Sequence, residues 1–253
     1  MAMKMPAPAE GFFVEMGRFF QLVGRIFAWT PRPPYDFGEL FRQMVKVGFN
    51  SIPVVFLTTM FTGMVMALQM FTVLRRVNAE SFVGSGVALS MVRELAPVLS
   101  GLIVAGRVGS AMGAELGTMR VTEQIDALEV MATDPVHYLV VPRVWATTIM
   151  MPFLVVLGNA VGILGGYVVA VVLMGANPVT YTDRTFQFMD LNDLLSGLVK
   201  AAVFGFLLAA IGCLQGFYTR GGAEGVGRAT TSAVVVASIA ILVADFFLTR
   251  LLF

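Results

Sequence analysis

Five stretches of this sequence, near residues 51–74, 86–112, 143–174, 194–217 and 231–253, are each apolar over the roughly 20 residues a helix needs to cross a bilayer. Lipid offers the backbone no hydrogen bonds, so each stretch must satisfy its own peptide groups, which an α-helix does. The composition agrees. Of 253 residues, 57% are hydrophobic and 13% charged, against about 25% charged in an ordinary soluble domain. Mean hydropathy is +0.82. The expected fold is an all-α integral membrane protein. Residues 1–50 form N-terminal interfacial amphipathic helices, and residues 51–253 carry the five transmembrane helices. The third stretch is long enough to tilt or to extend beyond the bilayer.

The first 50 residues are apolar but too charged to span. Phe12, Met16, Phe19, Val23 and Ile26 recur at steps of three and four, with Glu15, Arg18, Gln21 and Arg25 on other faces. This pattern suits a helix lying in the membrane interface. Pro31, Arg32, Pro33 and Pro34 stop it. A second such pattern sets Phe37, Leu40, Phe41, Met44, Val45 and Gly48 against Glu39, Arg42, Gln43 and Lys46. The apolar stretch from Gly11 is broken by Glu15, Arg18 and Arg25 and has no small-residue cleavage pattern, so it is not read as a signal peptide. Transit-peptide character is also lacking, so a bacterial inner membrane is the expected location. With the N-terminus inside, the cytoplasmic side holds Lys4, Arg18, Arg25, Arg32, Arg42, Lys46, Arg107, Arg120, Arg143, Arg220 and Arg228. The outside holds only Arg75, Arg76, Arg184 and Arg250. This asymmetry places the N-terminus in the cytoplasm and the C-terminus outside.

Several function classes are excluded by what the chain lacks. A net charge of +1 gives no reason to expect nucleic acid. Cys213 is the single cysteine and His137 the single histidine, so neither a disulfide, a multi-His metal site nor a nucleophilic triad is expected. His137 reads as a surface residue, and no cofactor is implied. Gly222 to Ala229, GAEGVGRA, approximates a phosphate loop, but Arg228 and Ala229 replace the Lys and hydroxyl residue that such a loop uses. The chain is therefore not expected to hydrolyse ATP.

The remaining features are those of a transporter. Arg93 and Glu94 lie within the second apolar stretch, and ionisable groups at that depth face a cavity or a partner. Lys200 lies roughly 9 Å into the fourth stretch and Asp245 roughly 12 Å into the fifth, both from the outer end, at 1.5 Å per residue. Equal depth suggests a structural ion pair. Gly109, Gly113 and Gly117, and then Gly158, Gly162 and Gly166, form rows that permit close helix approach, either within one subunit or between two. From Met119 to Pro135, Glu123, Gln124, Asp126 and Glu129 alternate with Ile125, Leu128 and Met131 at helical spacing. Anionic headgroups would repel this acidic face, so docking to a protein is the better reading. An ion-coupled secondary transporter using Arg93, Glu94, Lys200 and Asp245 is the main alternative, although such folds often show inverted repeats and none is visible. A scaffold without substrate is a third reading.

The run Ser90 to Leu128, SMVRELAPVLSGLIVAGRVGSAMGAELGTMRVTEQIDAL, resembles the MlaE/YrbE permease family. So does EVMATDP at Glu129 to Pro135, and GVGRATT at Gly225 to Thr231 is similar to that family's second cytoplasmic loop. The resemblance implies the permease of an ATP-driven phospholipid transporter, moving lipid between the inner and outer membranes. It implies a second copy of the chain, two copies of a separate ABC ATPase and a hexameric periplasmic MCE protein, with a STAS-domain protein in many such systems. Transferred residue by residue, it makes Arg93, Glu94 and Pro97 border the lipid cavity, with Met66, Gln69, Met70, Val73 and Leu74 near its outer mouth. It also makes the Met119–Asp134 helix, through Glu123, Gln124, Asp126, Leu128, Glu129, Met131 and Asp134, the cytoplasmic helix that couples to the ATPase.

Overall fold

The computed structural model describes residues 8–33 and 36–252. Lys4, Pro34 and Phe253 lie outside the described residues, as does the side chain of Phe12. No strand occurs among the described residues, and the chain is an all-α integral membrane protein. Five helical runs are long and apolar enough to span: Phe37–Arg75, Glu80–Val121, Val136–Leu173, Leu191–Phe217 and Gly222–Leu252.

Helix α1 covers Pro8–Trp29, and α2 covers Phe37–Gly48. Asp36 caps α2 by accepting from the Glu39 N–H. Hydropathy alone separates an interfacial helix from the first span near residue 50, but the backbone does not break there. A 3₁₀ turn at Phe49–Ser51 leads straight into α3, Ile52–Arg75. Pro53 falls in the first turn of α3, where a missing N–H costs no helical bond. The expected apolar face of α2 is also divided. Phe37, Phe41 and Val45 are exposed, while Gln43, Val47 and Gly48 are buried.

The second span is a composite of α4 (Val83–Ser90), α5 (Ala96–Val104) and α6 (Ser110–Val121), joined by wide π turns at Met91–Leu95 and Ala105–Gly109. A short α7 follows, Gln124–Val130. Wide turns at Val136–Val140 and Val168–Leu173 flank α8, Val141–Tyr167. Helix α9 (Pro178–Gln187) lies between spans, and α10 (Leu191–Phe217) and α11 (Gly222–Leu252) complete the bundle.

Helix α8 packs against α2, α3 and α10, and α10 in turn against α6 and α11. The larger core lies among α5, α6, α8 and α10 and includes Val104, Met151, Leu154, Phe204 and Leu208. A smaller one, around Phe71, Val87, Met91, Val169 and Tyr181, fills the end that carries α9. Both glycine rows serve packing within the subunit. A Cβ on Gly113 would press on Ala229 and Ala233 of α11, and one on Gly117 on Thr219. Gly162 faces Gly63 and Thr59 of α3 closely enough that a Cβ on Gly63 would overlap the Gly162 carbonyl.

Helix α1 buries Leu22 and Ile26 and leaves Phe13, Phe20 and Phe27 exposed. It is apolar on two sides, one buried against the protein and one exposed, whereas the expected single stripe joined buried Ile26 to exposed Met16.

Candidate functional site

The intramembrane charges converge where α10 and α11 meet the first wide turn of the second span. Lys200 is 0% exposed, and its Nζ donates to Glu94 Oε1 at 2.8 Å, Thr249 Oγ1 at 2.7 Å and the Arg93 carbonyl at 3.1 Å. The same nitrogen lies 3.0 Å from Asp245 Oδ1. One ammonium with three protons thus serves four oxygens on two other helical runs. Equal depth suggested the contact with Asp245 but not the one with Glu94.

Arg93 takes a different partner, which the apolar pattern hides. Its Nε donates to Asp193 Oδ1 at 2.7 Å, with Nη2 at 2.6 Å from the same oxygen. Asp193 is 4% exposed, and its Oδ2 accepts from the Asp190 N–H to close a capping box at the start of α10. The usable signal was the Asp190–Asp193 spacing ahead of an apolar run. Of the cavity or partner expected for Arg93 and Glu94, each has a partner on α10. The five side chains carry two positive and three negative charges, a sum of −1.

Local chain chemistry explains why this point opens. Pro97 has no N–H, so an α-helical bond back to the Arg93 carbonyl cannot form. The chain widens instead, with the Ala96 N–H reaching the Met91 carbonyl, and the released Arg93 carbonyl accepts from Lys200. Wide turns of this kind cluster at functional sites. Pro97 itself is buried near Gly197 of α10. Arg93 and Glu94 keep 40% and 37% of their side-chain surface exposed in the single subunit.

The five first-span residues lie on one side of α3, at helical spacing, but differ in burial. Met66, Met70 and Leu74 are half-buried against the smaller core, while Gln69 and Val73 are exposed. Sequence spacing alone could not separate them, because all five are apolar or amide residues in a uniformly apolar helix.

At the opposite end, the acidic segment is shorter than expected. Met119 belongs to α6, and the chain then reverses through Glu123 at φ 60° into α7, Gln124–Val130. Ile125 is buried and Leu128 partly so, whereas Glu123, Gln124, Glu129, Val130 and Met131 are exposed, with Val130 at 88%. Asp126 is paired with Arg120. Asp134 is also engaged. Arg25 Nη2 of α1 donates to both its oxygens at 2.9 and 3.1 Å, and Oδ1 accepts from the Val136 and His137 N–H groups. Burial raises the Asp134 pKa, but the Arg25 guanidinium and these backbone donors outweigh it and hold the carboxyl below its ordinary 3.8. His137 is partly buried, with its ring 5.0 Å from that of Trp29. Gly225–Thr231, expected to be a loop, is the first part of α11, entered through positive-φ glycines at 221 and 222. The same helical start rules out a phosphate-cradling loop at Gly222–Ala229.

Comparison with known proteins agrees with this architecture. The family Permease MlaE matches residues 40–251. The chain is similar to a probable ABC transporter permease protein of Rickettsia typhi, with 51% identity over 88% of this chain and 86% of the relative. A probable ABC transporter permease protein of Synechocystis is 42% identical over 96% of this chain and 92% of its own length. The intermembrane phospholipid transport system permease protein MlaE of Haemophilus influenzae is 39% identical over 96% and 93%.

Proposed function

Since the chain belongs to the MlaE permease family, we propose that it is the non-catalytic membrane subunit of an ATP-driven phospholipid transporter. In this reading two copies meet in the inner membrane of a Gram-negative bacterium, with N-termini in the cytoplasm and C-termini in the periplasm. They pass lipid between inner and outer membranes through a hexameric periplasmic MCE protein. Two copies of a separate ABC ATPase drive the cycle, with a STAS-domain protein as a further partner.

The observation that carries the reading is the half-exposed Arg93–Glu94 pair at membrane depth. Lipid tails cannot solvate it, so a second subunit or an aqueous lumen must cover it. Residues 1–50 act as interfacial and elbow helices feeding the transmembrane domain. Glu94 and Asp245 share one ammonium, Lys200, and Arg93 is paired one to one with Asp193. The site therefore presents a polar floor of nearly balanced charge, suited to a zwitterionic headgroup. The exposed pair Gln69 and Val73 supplies wall for the acyl chains. At the other end, exposed Val130 and Met131 beside Glu123 and Glu129 form a knob for the ATPase, which would turn nucleotide-driven closure into rigid-body motion of α6 and α8.

The test is gentle extraction of the tagged chain from its native membrane, with mass spectrometry of co-purifying proteins and lipids, followed by reconstitution. Recovery of an ATPase and an MCE protein, with ATP-dependent phospholipid flux in proteoliposomes, is the expected result. Recovery of the chain alone, active under an ion gradient, would overturn it in favour of ion-coupled transport.

A further inference from the structure

Far from the charge cluster, a half-open pocket of about 780 Å³ lies between the end of α1, the start of α2, the segment after α7 and the start of α8. Its walls include Trp29, Phe37, Leu40, Tyr138, Trp145 and Ile149. Two indoles and a phenol at one end of a membrane bundle are what the water–lipid interface selects. The rim is polar. Thr30 Oγ1 accepts from the Trp145 indole at 2.9 Å, and Asp36, Asp134 and His137 complete the lining. Asp134 is already held by Arg25, Asp36 at the start of α2 is the second carboxylate of the lining, and Arg32 lies over Trp29 at 5.1 Å. The volume is of the size that buries a small amphipathic molecule or part of a larger one.

The geometry points to a resident-lipid site: one amine-headgroup glycerophospholipid of the cytoplasmic leaflet, seated with an acyl chain between Leu40 and Ile149 and its ammonium near Asp36. The inference rests on the orientation proposed above, which puts this end of the bundle at the cytoplasmic interface. Charge complementarity selects the occupant. Acid inside the rim with base just outside matches a zwitterion carrying both an ammonium and a phosphate, and not an anionic glycerol headgroup. The bound lipid would be distinct from the cargo. It would touch Ala132, Thr133 and Asp134, the segment that leaves α7, and so stiffen the join between the ATPase-facing knob and α8.

The test uses the full complex in nanodiscs with two probes, phosphatidylethanolamine and phosphatidylglycerol, each carrying a diazirine in one acyl chain. Cross-links in peptides containing Trp29–Leu40 and Ala132–Ile149, at least fivefold more with the ethanolamine lipid, are expected. Ile149→Trp, which fills the cavity, should abolish them while labelling along the lipid-facing side of α3 stays unchanged. Asp36→Asn keeps the helix cap and should erase the headgroup preference. Equal labelling by both probes, or labelling indifferent to Ile149→Trp, would show ordinary surrounding lipid and overturn the proposal. A membrane-impermeant maleimide on Val130→Cys, reactive in inverted but not right-side-out vesicles, checks the orientation separately. If that control fails, the orientation is wrong whatever the cross-links show.

Discussion

Lys200 and Arg93 are both cations at membrane depth, yet they differ in what their loss exposes. Lys200 is fully buried and holds Glu94 and Asp245 together, so Lys200→Met leaves two neighbouring carboxylates with no counter-charge. Breaking a buried pair from one side costs about 3–5 kcal/mol. The expected outcome is a large fall in membrane-inserted protein and in melting temperature for Lys200→Met, which strands two carboxylates, and a smaller one for Arg93→Ala, which strands Asp193 alone. Equal yields would refute the distinction. Arg93→Ala and Glu94→Ala should instead show themselves in function, with reduced ATP-dependent lipid flux from complexes that retain their ATPase. Flux unchanged in both would separate the pair from transport. The sequence displayed Arg93, Glu94, Lys200 and Asp245 because a charge inside an apolar run is conspicuous. It concealed Asp193, which sits in a polar turn among several acids and becomes a buried partner only once α10 folds back on the second span.

Among the elements, glycine rows were visible as spacing, but spacing does not say what they face. The structure turns both inward, and the α3–α8 contact is the tightest test. Gly63→Ala sets a Cβ against the backbone of Gly162, where no rotamer change relieves it. It should lower the melting temperature sharply, whereas Gly17→Ala on α1, with open space around it, should be neutral or favourable by up to about 1 kcal/mol. Similar melting curves for the two would mean that α3 and α8 separate more readily than this packing requires. The span boundaries near residue 50 were illegible for a related reason, because hydropathy changes there while helical hydrogen bonding continues. The docking of α1 through Arg25 and Asp134 has a pH signature. The carboxyl is held below 3.8, so its contribution is present above that ordinary value and is lost as pH falls through the lower folded value. Fluorescence of Trp29 in a Trp145→Phe background should stay level from neutral pH down to about 3.8 and change only below it. A transition near neutrality would assign the docking to another group.

For the molecule as a whole, the proposed function gives the two ends of the bundle separate tasks, and the proposed ATPase contact can be tested without touching the charges. Val130→Asp with Met131→Asp adds charge to an exposed knob that packs against nothing in the subunit. The variant should insert and melt as the parent does but recover far less ATPase on purification. Full recovery would move the contact elsewhere. Helix α1 ties this end together. Arg25 reaches Asp134, Phe27 stacks on Phe206 at 5.6 Å, and Arg18 lies 4.8 Å over Tyr218. Those partners leave the ribosome long after α1 does, the last roughly 200 residues later, an interval of about 10–40 s at ordinary elongation rates. Until Asp134 is made, 109 residues after Arg25, α1 lacks its ion-pair partner. Its outward phenylalanines give it the bilayer surface as a waiting place, and its docking is complete only once α10 and Tyr218 have followed.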